Sequence, residues 1–424
     1  MSLLNVYKGA PALVSPSRAT PCGHAPLSDF DRMPVLRHFV EVIIVFDHGN
    51  KPAEVVRRAL AEALVPYYPV AGRIVDGIDD GNVGVACTGE GVWLVEASTD
   101  CLLEDVDYLK QEPLLIPKEQ LLPSPPKQVD ELALPIMLQV TEFKCGGCAV
   151  GIKFNHAIFD GKGVGQFIVA IGEMARGLVE PTVAPVWCRD VIFNPVPNFP
   201  SFDRLHQLID DRIKLLLSVI DIPLGRIEQQ KDGFEKETGQ KCTTFDVVAA
   251  KLWQSRTRAI ELGRGDNGVV VAFGTPVSIH HLHDELPADQ GRGYYGNCIY
   301  PLVIEAPCGE VANGSFFDVV KMVREAKESL PTKYSRSLKG VELPEMLAPT
   351  YRNLTLVDRR RLGFNEADFG WGKPKHVVPL TEQESRSVVA YIIDSPADQH
   401  IRVMAHCVTK EHQEAFLRET NKWP

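Results

Sequence analysis

The sequence predicts an α/β protein of two similar-sized domains, each a mixed β-sheet covered by helices, and three observations predict it. The chain has 424 residues, more than one hydrophobic core usually organises. Helical and strand patterns are mixed in both halves, as in layered sheet-and-helix architectures. Pro181, Pro185, Pro195, Pro197 and Pro200 punctuate the middle of the chain. The expected division is therefore residues 1–190, a crossover at 191–202 and residues 203–424, with ligand sites favoured in a cleft between the domains.

In the first half, Val56, Ala59, Leu60, Ala63 and Leu64 recur at helical spacing behind Pro52, a good first-turn residue, so 52–65 reads as a helix lying on a sheet. Apolar runs rich in β-branched residues at 38–46, 91–97, 135–144 and 147–154, each bounded by Gly, Pro or Asp, predict strands. Pro113, Pro117, Pro123, Pro125 and Pro126 cluster where neither helix interior nor central strand can form, which predicts a long surface loop. Phe167, Ile168, Ile171 and Met174 mark a second helix over 164–176. The second half predicts helices at 203–220, 244–261, 316–330 and 410–421, and strands at 268–278, 297–304, 387–394 and 400–407. Ser315 with Asp318 has the spacing of a capping pair at the third of these helices.

Composition excludes several functions. Forty-five Lys+Arg against 55 Asp+Glu leave a net charge of −10, unsuited to neutralising nucleic acid phosphates, so any polyanionic ligand must meet local positive charge. The apolar stretch His38 to Phe46 is far short of the roughly 20 residues a membrane-spanning helix needs. The first residues lack a basic segment followed by an apolar block, and the end, NKWP, is no retention or peroxisomal signal, so a cytoplasmic location is expected. Ten scattered cysteines lack the framework of a stapled secreted domain and read as reduced, mostly buried thiols.

Two segments carry candidate chemistry. Asn155-His156-Ala157-Ile158-Phe159-Asp160-Gly161 follows a predicted strand and precedes a glycine-rich turn into a helix. A histidine at a strand end can act as a general base near neutral pH, and the aspartate can hold the loop or the imidazole; a histidine satisfied by local hydrogen bonds is the plainer reading. In Asp368-Phe369-Gly370-Trp371-Gly372 two glycines flank a tryptophan, which allows unusual backbone angles or simply a tight turn. Gly161, Gly163 and Gly165 lack dinucleotide or Walker spacing and read as a tight helix entry. His280-His281-Leu282-His283-Asp284 has metal-ligand residue types without a distant ligand set, and Cys145-Gly146-Gly147-Cys148 has redox spacing without a helix start, so neither metal nor redox function is expected.

Together with Tyr67-Tyr68-Pro69-Val70-Ala71-Gly72-Arg73, Cys87-Thr88-Gly89-Glu90-Gly91, Gln139-Val140-Thr141-Glu142-Phe143 and Tyr295-Gly296-Asn297-Cys298, these two motifs resemble the plant BAHD acyltransferases in order and spacing over nearly the whole chain. Gly147 to Gly177 and Arg359-Arg360-Arg361-Leu362-Gly363-Phe364 are similar to the branch that includes benzoyl, taxane and grass p-coumaroyl-CoA monolignol transferases.

The resemblance implies a chloramphenicol acetyltransferase-like fold with the active-site channel between the domains, acyl-CoA as donor substrate, no permanently bound cofactor, no metal and a monomer. It implies that His156 deprotonates the acceptor hydroxyl, that Asp160 supports the loop and that Asp368 is structural. Trp371 is a candidate oxyanion donor. No Gly-x-Ser-x-Gly elbow supplies a serine nucleophile, so no acyl-enzyme is expected. In the resembled family the Asp368 position pairs with an upstream arginine; aligning Thr275 to His283 places His280 there, so Asp368 is expected to be held by His280 or by backbone donors instead. On the helix Thr244 to Arg258, Lys251, Ser255 and Arg256 are candidates for coenzyme A phosphates and adenosine, unless they merely solvate the helix, with Asn297 near the pantetheine. Leu27 to Asp31 and Lys373 to Ser387 are expected at the acceptor mouth. The expected activity is transfer of an aromatic acyl group, p-coumaroyl or another hydroxycinnamoyl, to a phenylpropanoid alcohol such as a monolignol. Benzoyl or acetyl transfer to another alcohol or an amine, and a noncatalytic scaffold of the same fold, are the alternatives.

Overall fold

The apolar runs of the first half assemble into a seven-stranded sheet in the order Val6–Lys8, Val92–Thr99, Ile136–Phe143, Cys148–Asn155, Phe39–Phe46 and His376–Pro379, with Ala12–Val14 also pairing Val92–Thr99. This is a computed structural model that describes residues 4–424 except 79–81, 192–212, 261–268, 283–292, 343–346, 348–349, 381–383, 386 and 396–398. Residues 192–202 of the expected crossover, and 203–212 of the expected helix after it, lie outside the described residues. The strand Cys148–Asn155 is buried at every position but Lys153, which is why its sequence is a nearly continuous apolar run. Helices Pro52–Ala63 and Gly161–Ala175 cover one face of this sheet.

The segment expected as a surface loop covers the other face. Ile116, Leu121 and Leu122 are buried against Ile43, Val45 and Ala149. Its backbone comes so close that a Cβ on Gly151 would stand 2.1 Å from the Leu121 carbonyl oxygen. Among the described residues no long helix closes that face of the sheet, and the proline-rich segment supplies the apolar cover.

The second sheet runs Ser218–Pro223, His400–His406, Val389–Asp394, Leu354–Asp358, Val270–Ser278 and Ile299–Pro307. Helices Leu224–Thr238, Thr244–Ala259, Phe316–Leu338 and Lys410–Asn421 contribute to its core. Three elements depart from expectation. Residues 215–216 and 218–223 are strands rather than helix, because burial alternates with period two along Ser218–Pro223. The helix Leu224–Thr238 has only Ile227, Gln230 and Phe234 buried, too thin a stripe to stand out in the sequence. The helix starting at Phe316, capped by Ser315 and Asp318 as expected, runs through Pro331 to Leu338. Tertiary contacts hold its final turns, with the Ser337 and Tyr300 hydroxyls 2.9 Å apart.

The contiguous second domain expected at 203–424 is corrected by one strand. His376–Pro379 pairs antiparallel with Phe39–Phe46, and Phe364, Ala367 and Phe369 join the first sheet's core. All ten cysteines are free thiols, most of them buried. Among the described residues no helix is long and apolar enough to cross a membrane.

Candidate active site

His156 leaves the end of the central strand Cys148–Asn155, opposite Phe39, where the chain must turn sharply into the helix Gly161–Ala175. Asp160 makes that turn, its Oδ1 accepting from the Gly163 N–H at 2.7 Å as the helix N-cap. The entry is tight: a Cβ on Gly163 would stand 2.0 Å from the Tyr295 carbonyl oxygen, and one on Gly165 1.7 Å from that of Leu362. The glycines here serve close packing against two segments of the second half.

His156 is tethered through its backbone. Its N–H donates to the His38 carbonyl at 2.9 Å, and its carbonyl accepts from Asn297 Nδ2 at 2.7 Å. The same amide donates to Asp31 Oδ1 at 2.8 Å, and Asp31 Oδ2 lies 2.5 Å from Arg189 Nη1 in an ion pair with no solvent exposure on either side chain. Arg189 also donates to the Ile158 carbonyl at 2.6 Å, so residues 156 and 158 of the loop are held by one buried network. Asp31, Arg189 and Asn297 are distant in sequence and were not expected to meet. Asn297 is expected near the pantetheine, but it is fully buried behind the histidine.

The imidazole is poised as a neutral base. Burial above all, then the neighbouring His38 and Arg359, lower the His156 pKa to about 4, while its own carbonyl and the Asn297 side chain offset part of this. The His38 ring centroid lies 5.5 Å away, and its Nδ1 donates to the Val35 carbonyl at 2.8 Å, which leaves Nε2 as the acceptor nitrogen. His38 was legible only as the edge of a strand. Burial raises Asp160 to about 6, and His280 Nε2 stands 3.9 Å from its Oδ2.

That last contact decides between the two expected supports of Asp368: His280 meets Asp160, and backbone donors hold Asp368. Asp368 instead folds back on its own turn, its Oδ1 accepting from the N–H groups of Gly370 at 2.8 Å and Gly372 at 2.9 Å, both glycines having positive φ. Arg176 lies 3.8 Å from its other oxygen and donates to its backbone carbonyl. Trp371 packs edge-on against Phe46, ring centroids 5.5 Å apart. Phe46 pairs with Cys148 and Phe39 with Asn155, so a strand about 23 Å long separates that tryptophan's packing site from the histidine. Trp371 is therefore no oxyanion donor.

The coenzyme A candidates are also corrected. Lys251, Ser255 and Arg256 are all at most 2% exposed and offer no surface to a ligand. Lys251 donates to the carbonyls of Glu419, at 2.8 Å, and Lys422, and lies over the Trp423 ring. Arg256 donates to the Cys407 carbonyl at 2.6 Å and to that of Tyr351. These cations fasten the C-terminal helix and strand within their own domain. At the expected acceptor mouth, Leu27, Ser28, Phe30 and Asp31 are buried, while Lys373 and Lys375 pair with Glu366 and Asp47.

A family model described as the Transferase family matches residues 5–422. The chain is 50% identical over 430 residues, 98% of this chain and of the relative, to the myricetin 3-O-glucosyl 1,2-rhamnoside 6'-O-caffeoyltransferase AT2 of Crocosmia x crocosmiiflora. It is 33% identical over 395 residues, 90% of this chain and 86% of the relative, to the 3'-N-debenzoyl-2'-deoxytaxol N-benzoyltransferase of Taxus canadensis. The crystal structure of vinorine synthase shares the fold, with a TM-score of 0.76 at 21% identity over 97% of this chain and 96% of that one. With the family model spanning almost the entire sequence and named acyltransferases at these identities, the chain belongs to the Transferase family of acyl-CoA-dependent BAHD acyltransferases.

Proposed function

We propose that the protein transfers a hydroxycinnamoyl group from coenzyme A to a hydroxyl of a phenolic acceptor, with His156 as general base. The observation that carries this reading is the neutral imidazole tethered by its backbone between His38 and Asn297. As the acceptor oxygen attacks the thioester carbonyl, the imidazole takes its proton. Collapse of the tetrahedral adduct breaks the C–S bond, and the imidazolium returns the proton to the leaving thiolate. The products are an ester and free coenzyme A. Fixing the loop through backbone hydrogen bonds keeps the base in the geometry on which the rate depends.

A relative at 50% identity is named for caffeoyl transfer to a glycosylated flavonol, which supports a hydroxycinnamoyl donor and makes a sugar hydroxyl the first acceptor to try. Transfer of p-coumaroyl to a monolignol keeps the same donor class with a smaller alcohol. Benzoyl transfer to an amine is the second reading, favoured by the relative at 33% identity.

The test is release of free thiol from caffeoyl-, p-coumaroyl-, benzoyl- and acetyl-CoA, each offered with a flavonol glycoside, coniferyl and sinapyl alcohols and an aliphatic amine. Turnover of the hydroxycinnamoyl donors with a hydroxyl acceptor, lost in His156→Ala, is the expected result. Turnover of only benzoyl-CoA with the amine selects the second reading, and activity that survives His156→Ala removes the base assignment.

A further inference from the structure

Two neighbouring segments of the second half clamp the His156 loop at its two ends. The Asn297 side chain holds the His156 carbonyl. At the other end Asp160 meets His280, whose Nε2 lies 3.9 Å from the Asp160 Oδ2, within ion-pair reach and with both side chains 7% exposed. The clamping segments are tied to each other, since the Ile279 N–H donates to the Cys298 carbonyl at 3.0 Å. They differ in chemistry. The Asn297 amide does not titrate, whereas the His280 end joins two groups that do.

The hydrogen bonds around His280 fix where its protons point. Lys162 Nζ, which can only donate, gives a hydrogen bond to Ser278 Oγ at 3.2 Å, and that oxygen lies 2.9 Å from His280 Nδ1. With a neutral ring the serine hydroxyl donates to Nδ1; with a cationic ring Nδ1–H donates to the serine oxygen. In both states Nε2 carries its hydrogen toward Asp160. Because Asp160 Oδ1 caps the helix by accepting from Gly163, Oδ2 is the oxygen that faces the imidazole. The other titratable groups around the pair supply no buried cation to this carboxylate. Asp31 acts on it as a like charge and is itself paired with Arg189. Burial pushes the Cys298 thiol and the Tyr294 hydroxyl up, so both stay neutral, the Tyr294 ring standing edge-on to His280 with centroids 5.8 Å apart. Lys162 is exposed, and solvent screens its charge. Burial raises the Asp160 carboxyl to about 6, so from neutrality upward the loop carries a buried carboxylate unless a proton is shared with the imidazole. A carboxyl and an imidazole holding one proton between them are together neutral. Removing it leaves a net anion in a desolvated place, so the last proton stays on such a pair above the ordinary histidine range.

We infer that His280 is a positioning residue for acyl transfer, sharing one proton with Asp160 so that the His156 loop is seated while the pair holds that proton and loosened when alkaline pH removes it. This rests on the reading that His156 is the base, and it gives His280 no contact with substrate. Because the folded state holds this proton more tightly than the unfolded chain, rising pH removes stability from the loop together with rate.

The experiment follows kcat, KM for caffeoyl-CoA and melting temperature from about pH 6 to 9 in the full-length wild type and its His280→Arg and His280→Gln variants, with a flavonol glycoside as acceptor. Wild-type kcat is expected to fall by about fivefold or more between about pH 7 and 9 with KM nearly constant, and the melting temperature to fall with it. His280→Arg, whose cation does not titrate there, should hold both level. His280→Gln, which keeps a donor without a charge, should be slower than the wild type near neutrality and lack the alkaline limb. Dividing each variant's rate by that of the wild type at the same pH removes ionisation of the phenolic substrates from the comparison. Where His280→Arg does not fold, the wild type against His280→Gln decides. A limb that is the same in every protein, or a wild type with none, overturns the shared proton while hydroxycinnamoyl transfer stands. A melting limb that depends on His280 without a matching change in kcat overturns the positioning role. A His280-dependent limb in a protein whose activity survives His156→Ala keeps the pair and overturns His156 as the base.

Discussion

The loop at His156 and the turn at Asp368 are the two motifs that mark the family, and they are built on opposite principles. In the turn, the carboxylate satisfies two N–H groups of its own segment, Arg176 closes the far side, and the Asp368 side chain remains 30% exposed. Nothing is held away from its preferred state. In the loop, a histidine is desolvated until its pKa falls to about 4, and the partners that hold it come from residues 31, 38, 189 and 297. A local, self-satisfied motif gives shape, whereas a motif whose polar groups are perturbed and held by distant partners is equipped for chemistry. The same contrast explains why Trp371, prominent in the sequence, stands at the far end of a strand from the base.

Substitutions in the two motifs should therefore separate activity from stability. Replacing His156 by Ala should lower kcat by about 10²- to 10⁴-fold with little change in melting temperature. The pH profile sharpens this. Because the folded-state pKa is depressed, the neutral base persists as pH falls, so kcat/KM should stay level from neutrality to about pH 5 and decline only as pH drops through about 4. An acid limb at the ordinary histidine value would contradict the desolvated base.

Asn297→Ala should affect both properties, since it leaves a buried carbonyl and part of the Asp31 carboxylate unpaired. Denaturant unfolding should show a loss of about 1–3 kcal/mol, and kcat should fall while KM for the acyl-CoA changes little. Asp368→Ala should cost only about 1 kcal/mol, because water can replace the lost acceptor at a partly exposed turn, and steady-state kinetics should be unaltered. A kcat loss there comparable with that of Asn297→Ala would erase the distinction between the motifs. The smallest effect is expected for Trp371→Phe, which keeps the aromatic edge against Phe46 and should leave kcat within about twofold and stability within about 1 kcal/mol.

Much of the fold was legible because it is written in local periodicity. Helices at 52, 244 and 410, and the strands around 39–46 and 148–155, follow from apolar residues repeating at helical spacing or forming bounded runs. Legibility failed where the deciding partner lies elsewhere in the chain. Pro331 continues a helix because contacts from Tyr300 hold the turns beyond it. Strand His376–Pro379 joins the first sheet because Phe39–Phe46 has an open edge to offer.

The site divides in the same way. The sequence by itself determined that His156 stands at the end of a strand, that Asp160 caps the next helix, and that the chain is an acyltransferase of a known family, since each rests on residue order and spacing. Whether a cation faces a ligand or a carbonyl was settled only by folding. Lys251 and Arg256 read as an exposed basic edge and are spent on backbone carbonyls, whereas Arg189, which no local pattern singles out, is buried against the Asp31 carboxylate behind the histidine loop. Periodicity is a property of neighbours along the chain. Charge compensation and desolvation depend on which distant atoms pack around a group, and only the tertiary structure supplies those atoms.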